Sequence, residues 1–239
     1  MNYRVRFSKH GALRYIGHLD VMRYFQKLLR RAEIDVAYTQ GFSPHAITTF
    51  AQPLGVGIES DGEYMDLKLN SEITCAELRR RINEASVPEI QAISVKLLPD
   101  DTGNAMASVA AAEYKIAFKP DKTPSLLSNP GNITIEWLIE SFLSQEEIIL
   151  VKEGKAGLRE IDIKDRIFEF SWDPEDNCFH AILDASSGYN IKPSALIELF
   201  LKYHNETAEG NSLIVYRADT YTRNPDGKLI SMDDIGTEA

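Results

Sequence analysis

Three of the five histidines, His10, His18 and His45, fall within the first fifty residues, alongside eight of the 26 Lys and Arg residues. Imidazoles and cations in one segment suit two chemistries. A histidine that titrates near neutrality can take or give a proton in RNA cleavage, while Arg6, Lys9 or Arg14 stabilises the developing charge. On this reading His18 or His45 acts as general base or acid in a metal-independent endoribonuclease. The same cations can instead hold phosphates with no reaction at all. His10, His18, Asp20 and His45 also offer ligand atoms, but the HxD spacing at 18–20 is common by chance. No metal and no cofactor are expected. Two cysteines, Cys75 and Cys178, form no CxxC pair, which argues against a disulfide framework or a thiolate zinc site. GxSxG, HExxH, P-loop and kinase signatures are absent from the sequence.

These residues need elements to position them. "GHLDVMRYFQKLLRRA" has helical periodicity: Val21, Met22, Phe25, Leu28, Leu29 and Ala32 fall within an arc of about 120°. Asp20, Arg23, Lys27, Arg30 and Arg31 fall on the opposite side. That stripe is either a solvated face favoured by the helix dipole or a row of phosphate contacts. In "QGFSPH", residues 40–45, Gly41 permits a positive φ and Pro44 holds Ser43 extended. Phe42 is then a buried plug or a stacking surface. "PLGVGIES" places Gly55 and Gly57 before a strand, outside the GxGxxG context. Further on, "SSGYNIKPSAL" brings Ser186, Ser187, Gly188 and Lys192 to a helix start, where they serve as ordinary capping or as a phosphate site. Lys155, Arg159 and Lys164 read as the solvated edge of a hairpin.

The order of elements gives the fold class. "YRVRFS" alternates, with Tyr3, Val5 and Phe7 on one face, and reads as a strand. The basic helix follows, then the short β-rich pieces "IDVAYT" and "AITTFAQ", then "EYMDLKL". "SEITCAELRRRINEA" is a second helix with a capping signal at Thr74 and Glu77, and "EIQAISVKLLP" closes the set. The same order recurs after "DDTGNAMASVAAA", with one added strand. We expect an α+β protein of two tandem ferredoxin-like (βαββαβ) domains with antiparallel sheets. The boundaries are 1–100 for the first domain with its basic helix, 101–112 for a linker, 113–223 for the second domain, and 224–239 for a disordered acidic tail.

The 239 residues are 44% hydrophobic and carry a net charge of -10, against a +5 balance in residues 1–50. An acidic protein with one basic end can attract a polyanion locally, but not as a nonspecific coat. No apolar run approaches a membrane span and no signal core follows the N-terminus, so a cytoplasmic address is expected.

Taken together, "RFSKHGALRYIGHLDVMRYFQKLLRRA", "AYTQGFSPHAITTFAQPLGVGIES" and "EYMDLKL" are more specific than any single motif. They resemble the radical-SAM-linked (radical-SAM-associated) protein family, a domain of unknown function found fused to or encoded beside a radical SAM module. Matching positions are Arg6, Phe7, Lys9, Gly11, Arg14, His18, Leu19, Asp20, Arg23, Arg30, Arg31, Gly41, Phe42, Pro44, His45, Gly57, Ser60 and Glu63. The resemblance is dense over 3–69 and thinner to about 222, and it implies a partner radical SAM enzyme. The radical cluster itself needs three closely spaced cysteines, which Cys75 and Cys178 do not supply. The architecture is also distantly similar to CRISPR repeat-processing endoribonucleases, although the glycine-rich loop of those enzymes is reduced here to Gly210. Three functions follow as expectations. The first is an accessory RNA-binding or substrate-presenting protein for tRNA or rRNA modification, contacting RNA through Arg6, Lys9, Arg14, His18, Arg23, Lys27, Arg30, Arg31, Phe42 and His45, with Tyr15 and Phe42 stacking on bases. The second is the endoribonuclease, and the third a protein-interaction module that docks the radical SAM enzyme.

Overall fold

A computed structural model describes residues 1–129, 131–154 and 157–238. Its fold is mixed α+β, with multiple helices and antiparallel strand pairs. The chain divides into two compact units, 1–111 with 217–239, and 112–216.

In the first unit β1 (Asn2–Lys9) pairs antiparallel with β3 (Glu59–Lys68) and β4 (Ala92–Leu97), and β2 (Thr48–Phe50) pairs with β3. Period-two alternation sends Tyr3, Val5 and Phe7 into the core with Met65 and Leu67 from β3, all at most 2% exposed. Helix α1 (His18–Arg31) covers this face with Val21, Phe25, Leu28 and Leu29, the i, i+4, i+7, i+8 spacing of a helix stripe. Phe7, Phe25 and Phe50 meet edge to face at its centre. Helix α2 (Cys75–Ala85) starts where the capping signal placed it: the Thr74 hydroxyl accepts from the Glu77 amide at 3.2 Å.

After β4 come α3 (Ala105–Ser108), β5 (Ala111–Phe118), α4 (Ser125–Ser128) and α5 (Ile135–Leu143). Then come β6 (Ile149–Gly154), β7 (Gly157–Asp162), β8 (Ile167–Asp173), β9 (Cys178–Asp184), α6 (Pro193–Tyr203) and β10 (Leu213–Arg223). In the second unit β5, β9 and β8 lie side by side, and β6 and β7 form their own hairpin. The hairpin carries Arg159; Lys155 lies outside the described residues. Phe142 on α5 and Phe200 on α6 meet over Phe170 of β8.

Two expectations about chain segments are corrected. The linker 101–112 holds the short alanine-rich helical turn that its composition allows, α3 at 105–108, but it ends early, because Ala111 and Ala112 already open β5. The expected disordered tail, 224–239, is structured over its described residues, 224–238. β11 (Leu229–Ser231) pairs with β10, Met232 is fully buried, and Thr237 exchanges both backbone hydrogen bonds with Leu97. The acids that read as solvating are counter-ions. Asp233 lies 3.8 Å from Arg6, and Glu238 lies 2.6 Å from Lys96.

Candidate functional site

The exposed side of α1 carries Arg23, Lys27, Arg30 and Arg31, each in solvent. Arg23 pairs with Asp20 at 3.2 Å, one turn away, a contact worth little when both partners are exposed. Arg31 donates to the Ala85 carbonyl at 3.0 Å. Lys27 and Arg30 make no ion pair or hydrogen bond among the described residues. The neighbouring arginines of α2 are neutralised locally: Arg80 by Glu77 and Glu84, and Arg81 by Glu77. The loop of residues 39–45 is closed at its base by Thr39 N–H donating to the His45 carbonyl at 2.9 Å and by the Tyr38–Ala46 bridge. Gly41 takes a φ of +120°, a conformation that a side chain would strain. Phe42 at the tip is wholly exposed, so it is a surface ring and not a plug.

Several expected phosphate contacts lie elsewhere. Arg6 spends its guanidinium on the carbonyls of Asp61 (2.8 Å) and Ala218 (3.1 Å), beside Asp219 at 3.7 Å. Lys9 is 2% exposed. Arg14 pairs with Glu59 at 3.0 Å and lies over the Tyr15 ring. The His18 ring meets the edge of Phe50 at 5.7 Å, and His45 bonds Thr39 at 3.1 Å. In the second unit, both the amide and the hydroxyl of Ser186 are taken by Asp184. Ser187, Gly188 and Lys192 stay exposed ahead of α6.

A second constellation went unread in the sequence. Lys9, Ser60, Glu63 and Arg217 are all at most 7% exposed. Glu63 Oε1 accepts from Ser60 Oγ at 2.8 Å and from Arg217 at 3.1 Å, and Arg217 also reaches the Gln52 carbonyl at 3.2 Å. Lys9 donates to the Ile16 carbonyl at 2.9 Å, pinning the turn that leads into α1. His18 opens that helix, so Lys9, Glu63 and His18 line one small pocket with Phe7 and Phe50. The signal was present in the alternation. Lys9 continues the series Tyr3, Val5, Phe7, and Glu63 precedes Met65 and Leu67, so each charge stands on the apolar face. Burial pushes the Lys9 ammonium down, opposed by the Glu63 charge and reinforced by Arg217. Burial likewise pushes His18 below its ordinary 6.5, with Glu63 opposing and Lys9 adding to the fall. A depressed folded pKa means that the unfolded chain binds the proton first. The contribution of His18 to stability is therefore present above pH 6.5 and is lost as pH falls through its folded value. Urea midpoints should drop between pH 7.5 and 5.5, and His18→Gln should reduce that drop; an unchanged pH dependence would refute the assignment.

Elsewhere, His180 bridges Glu113 (2.7 Å) and Glu169 (3.0 Å) across three strands. Asp173, Asp176 and Cys178 place one ligand atom each within 4.8 Å of one another. Asp176 is already paired with Lys115, and Asp173 caps the backbone amides of Glu175 and Asp176. Cys75 and Cys178 do not make up the three-cysteine ligand set of a radical SAM iron–sulfur cluster. No helix among the described residues is long and apolar enough to cross a membrane.

A comparison with curated proteins finds no match. The family model described as "uncharacterized protein conserved in bacteria (DUF2344)" matches residues 2–193, and the chain belongs to that family.

Proposed function

We propose that the protein is an accessory RNA-binding or substrate-presenting partner of a radical SAM enzyme, acting on tRNA or rRNA in the cytoplasm. The observation that carries this reading is the solvent face of α1, where Lys27 and Arg30 have no counter-ion among the described residues and Arg23 has only an exposed one. Cations held on a rigid helix and free of internal partners suit phosphates spaced along a backbone. Phe42, exposed on a loop of the same unit, offers a ring for an unpaired base. Exposed Lys192, with Ser187 and Gly188, is a second phosphate contact on this reading. The motif resemblance in residues 3–69 supports the radical SAM partner.

The strand orders support tandem ferredoxin-like halves. In one unit the order is β4-β1-β3, with β2 on β3. The other reads β5-β9-β8, with helices after β5 and β9.

The test is binding to structured RNA across a salt series. Affinity should fall steeply with salt, and Arg23→Glu, Lys27→Glu and Arg30→Glu together should lower it at least about tenfold and flatten the log–log salt slope by about two. Affinity indifferent to both treatments would end the RNA reading. A second reading is protein docking, favoured by the exposed rings of Phe42, Tyr38 and Tyr15. Co-purification of a radical SAM enzyme that survives nuclease treatment and is lost in Phe42→Ala would select it.

A further inference from the structure

Lys9 is an ammonium without a counter-ion. It is 2% exposed, yet no carboxylate lies within ion-pair distance among the described residues. Its hydrogen bonds go to neutral carbonyls, Ile16 at 2.9 Å and Arg14 at 3.5 Å, the latter at the limit of a bond. A lysine has three N–H donors, so one has no acceptor among the described residues. The carboxylate nearest in the field, Glu63, is engaged through Oε1 by Ser60 and Arg217 and balances Arg217. The buried groups therefore hold two cations against one anion, and an unbalanced buried charge is costly.

The facing wall is also incomplete: beside His18 it holds Gln52, whose Oε1 accepts no hydrogen bond among the described residues. His18 is the first residue of the 14-residue helix α1, and its N-cap, Gly17, contributes no side-chain bond. His18 and Val21 of this first turn line the space beside Lys9. The His18 ring makes no hydrogen bond among the described residues; its neighbour there is the edge of Phe50. The free space measures about 10 Å³, room for a single oxygen-sized group.

We propose that this pocket binds one oxygen of an oxyanion, of phosphate or carboxylate type, between the Lys9 ammonium and the N-terminal end of α1, with His18 against it. The bound oxygen takes the third N–H of Lys9, balances the second buried cation, and gives the His18 ring a hydrogen-bond partner. Glu63 remains with Arg217 and Ser60, which keeps its charge from opposing the ligand. The exposed face of α1 takes no part, so the site stands or falls separately from RNA binding.

The test uses the full chain, labelled with nitrogen-15, in a low-chloride buffer of neither anion type. The ring shifts of all five histidines are followed against pH, alone and with inorganic phosphate or acetate. The expected result is a rise of the His18 midpoint by about one unit, a tenfold change in proton affinity, with the other four histidines unmoved. A rise with phosphate alone identifies a phosphate-type ligand, and with acetate alone a carboxylate. Lys9→Met should abolish the response. Should Lys9→Met not fold, His18→Gln measured by titration calorimetry should lose about tenfold in affinity for the active anion, while Arg30→Glu keeps it. A His18 midpoint that neither anion moves, or one that moves no more than that of exposed His45, overturns the proposal.

Discussion

Glu63→Ala is expected to destabilise the protein by about 3–5 kcal/mol, read from urea denaturation at pH 7.5. The carboxylate is 7% exposed and Arg217, its partner at 3.1 Å, is 3% exposed. Removing one member of a buried pair strands the other without water, and here Lys9 also loses the Glu63 charge that opposes its desolvation. Ser60 loses its acceptor as well. Glu63→Gln keeps an oxygen for Ser60 but not the charge, so it should fall between wild type and alanine. The double variant Glu63→Leu with Arg217→Leu should recover much of the loss, because two apolar side chains of similar volume remove both charges at once. The coupling between the sites should be at least about 2 kcal/mol in a double-mutant cycle. A cost below about 1 kcal/mol for Glu63→Ala would show that water reaches Arg217, and the cluster could not then be treated as dry.

That cluster also marks where sequence reading stops. Elements governed by short-range periodicity were legible: "YRVRFS" is β1 with one residue added at each end, the α1 stripe buries Val21, Phe25, Leu28 and Leu29, and Thr74 caps α2. What failed depends on partners distant in sequence. Arg4 and Arg6 alternate with apolar residues, a pattern that suggests a solvent face, yet Arg4 is fully buried against Asp66 and Met232, and Arg6, partly buried, donates to the carbonyls of Asp61 and Ala218. Those partners lie up to 228 positions away, and no local pattern announces them. The acidic end of the chain misled for the same reason. Its composition suggests solvation, but Leu229, Ile230 and Met232 supply a short apolar run for β10 and the face of β1. The exposed cations of α1 were legible because helix periodicity alone decides which face they occupy.

Gly62→Ala is expected to destabilise the first unit by about 3 kcal/mol. The reason is backbone proximity and not backbone conformation. A Cβ on Gly62 would lie 2.4 Å from the Asp219 Cα, 2.7 Å from its nitrogen and 2.8 Å from its carbonyl carbon. These are main-chain atoms of β10, so no rotamer can relieve the clash and β3 must move. Movement there is resisted on both sides. Tyr64 donates to Asp219 at 2.5 Å, Thr220 donates to the Gly62 carbonyl at 2.7 Å, and Glu63 is held by Arg217. Burial and the Asp219 charge push the Tyr64 hydroxyl up, so it stays a donor throughout the accessible pH range. Gly188→Ala is the control, since its Cβ meets nothing within 4 Å and its φ is not positive; it should be nearly neutral. Because Gly62 adjoins Glu63, the substitution should also disturb the Lys9 pocket, so any anion-dependent shift of His18 should shrink in parallel with stability. A Gly62→Ala protein within about 1 kcal/mol of wild type, with that shift intact, would mean that β3 and β10 part at this point without disturbing the charges beside them.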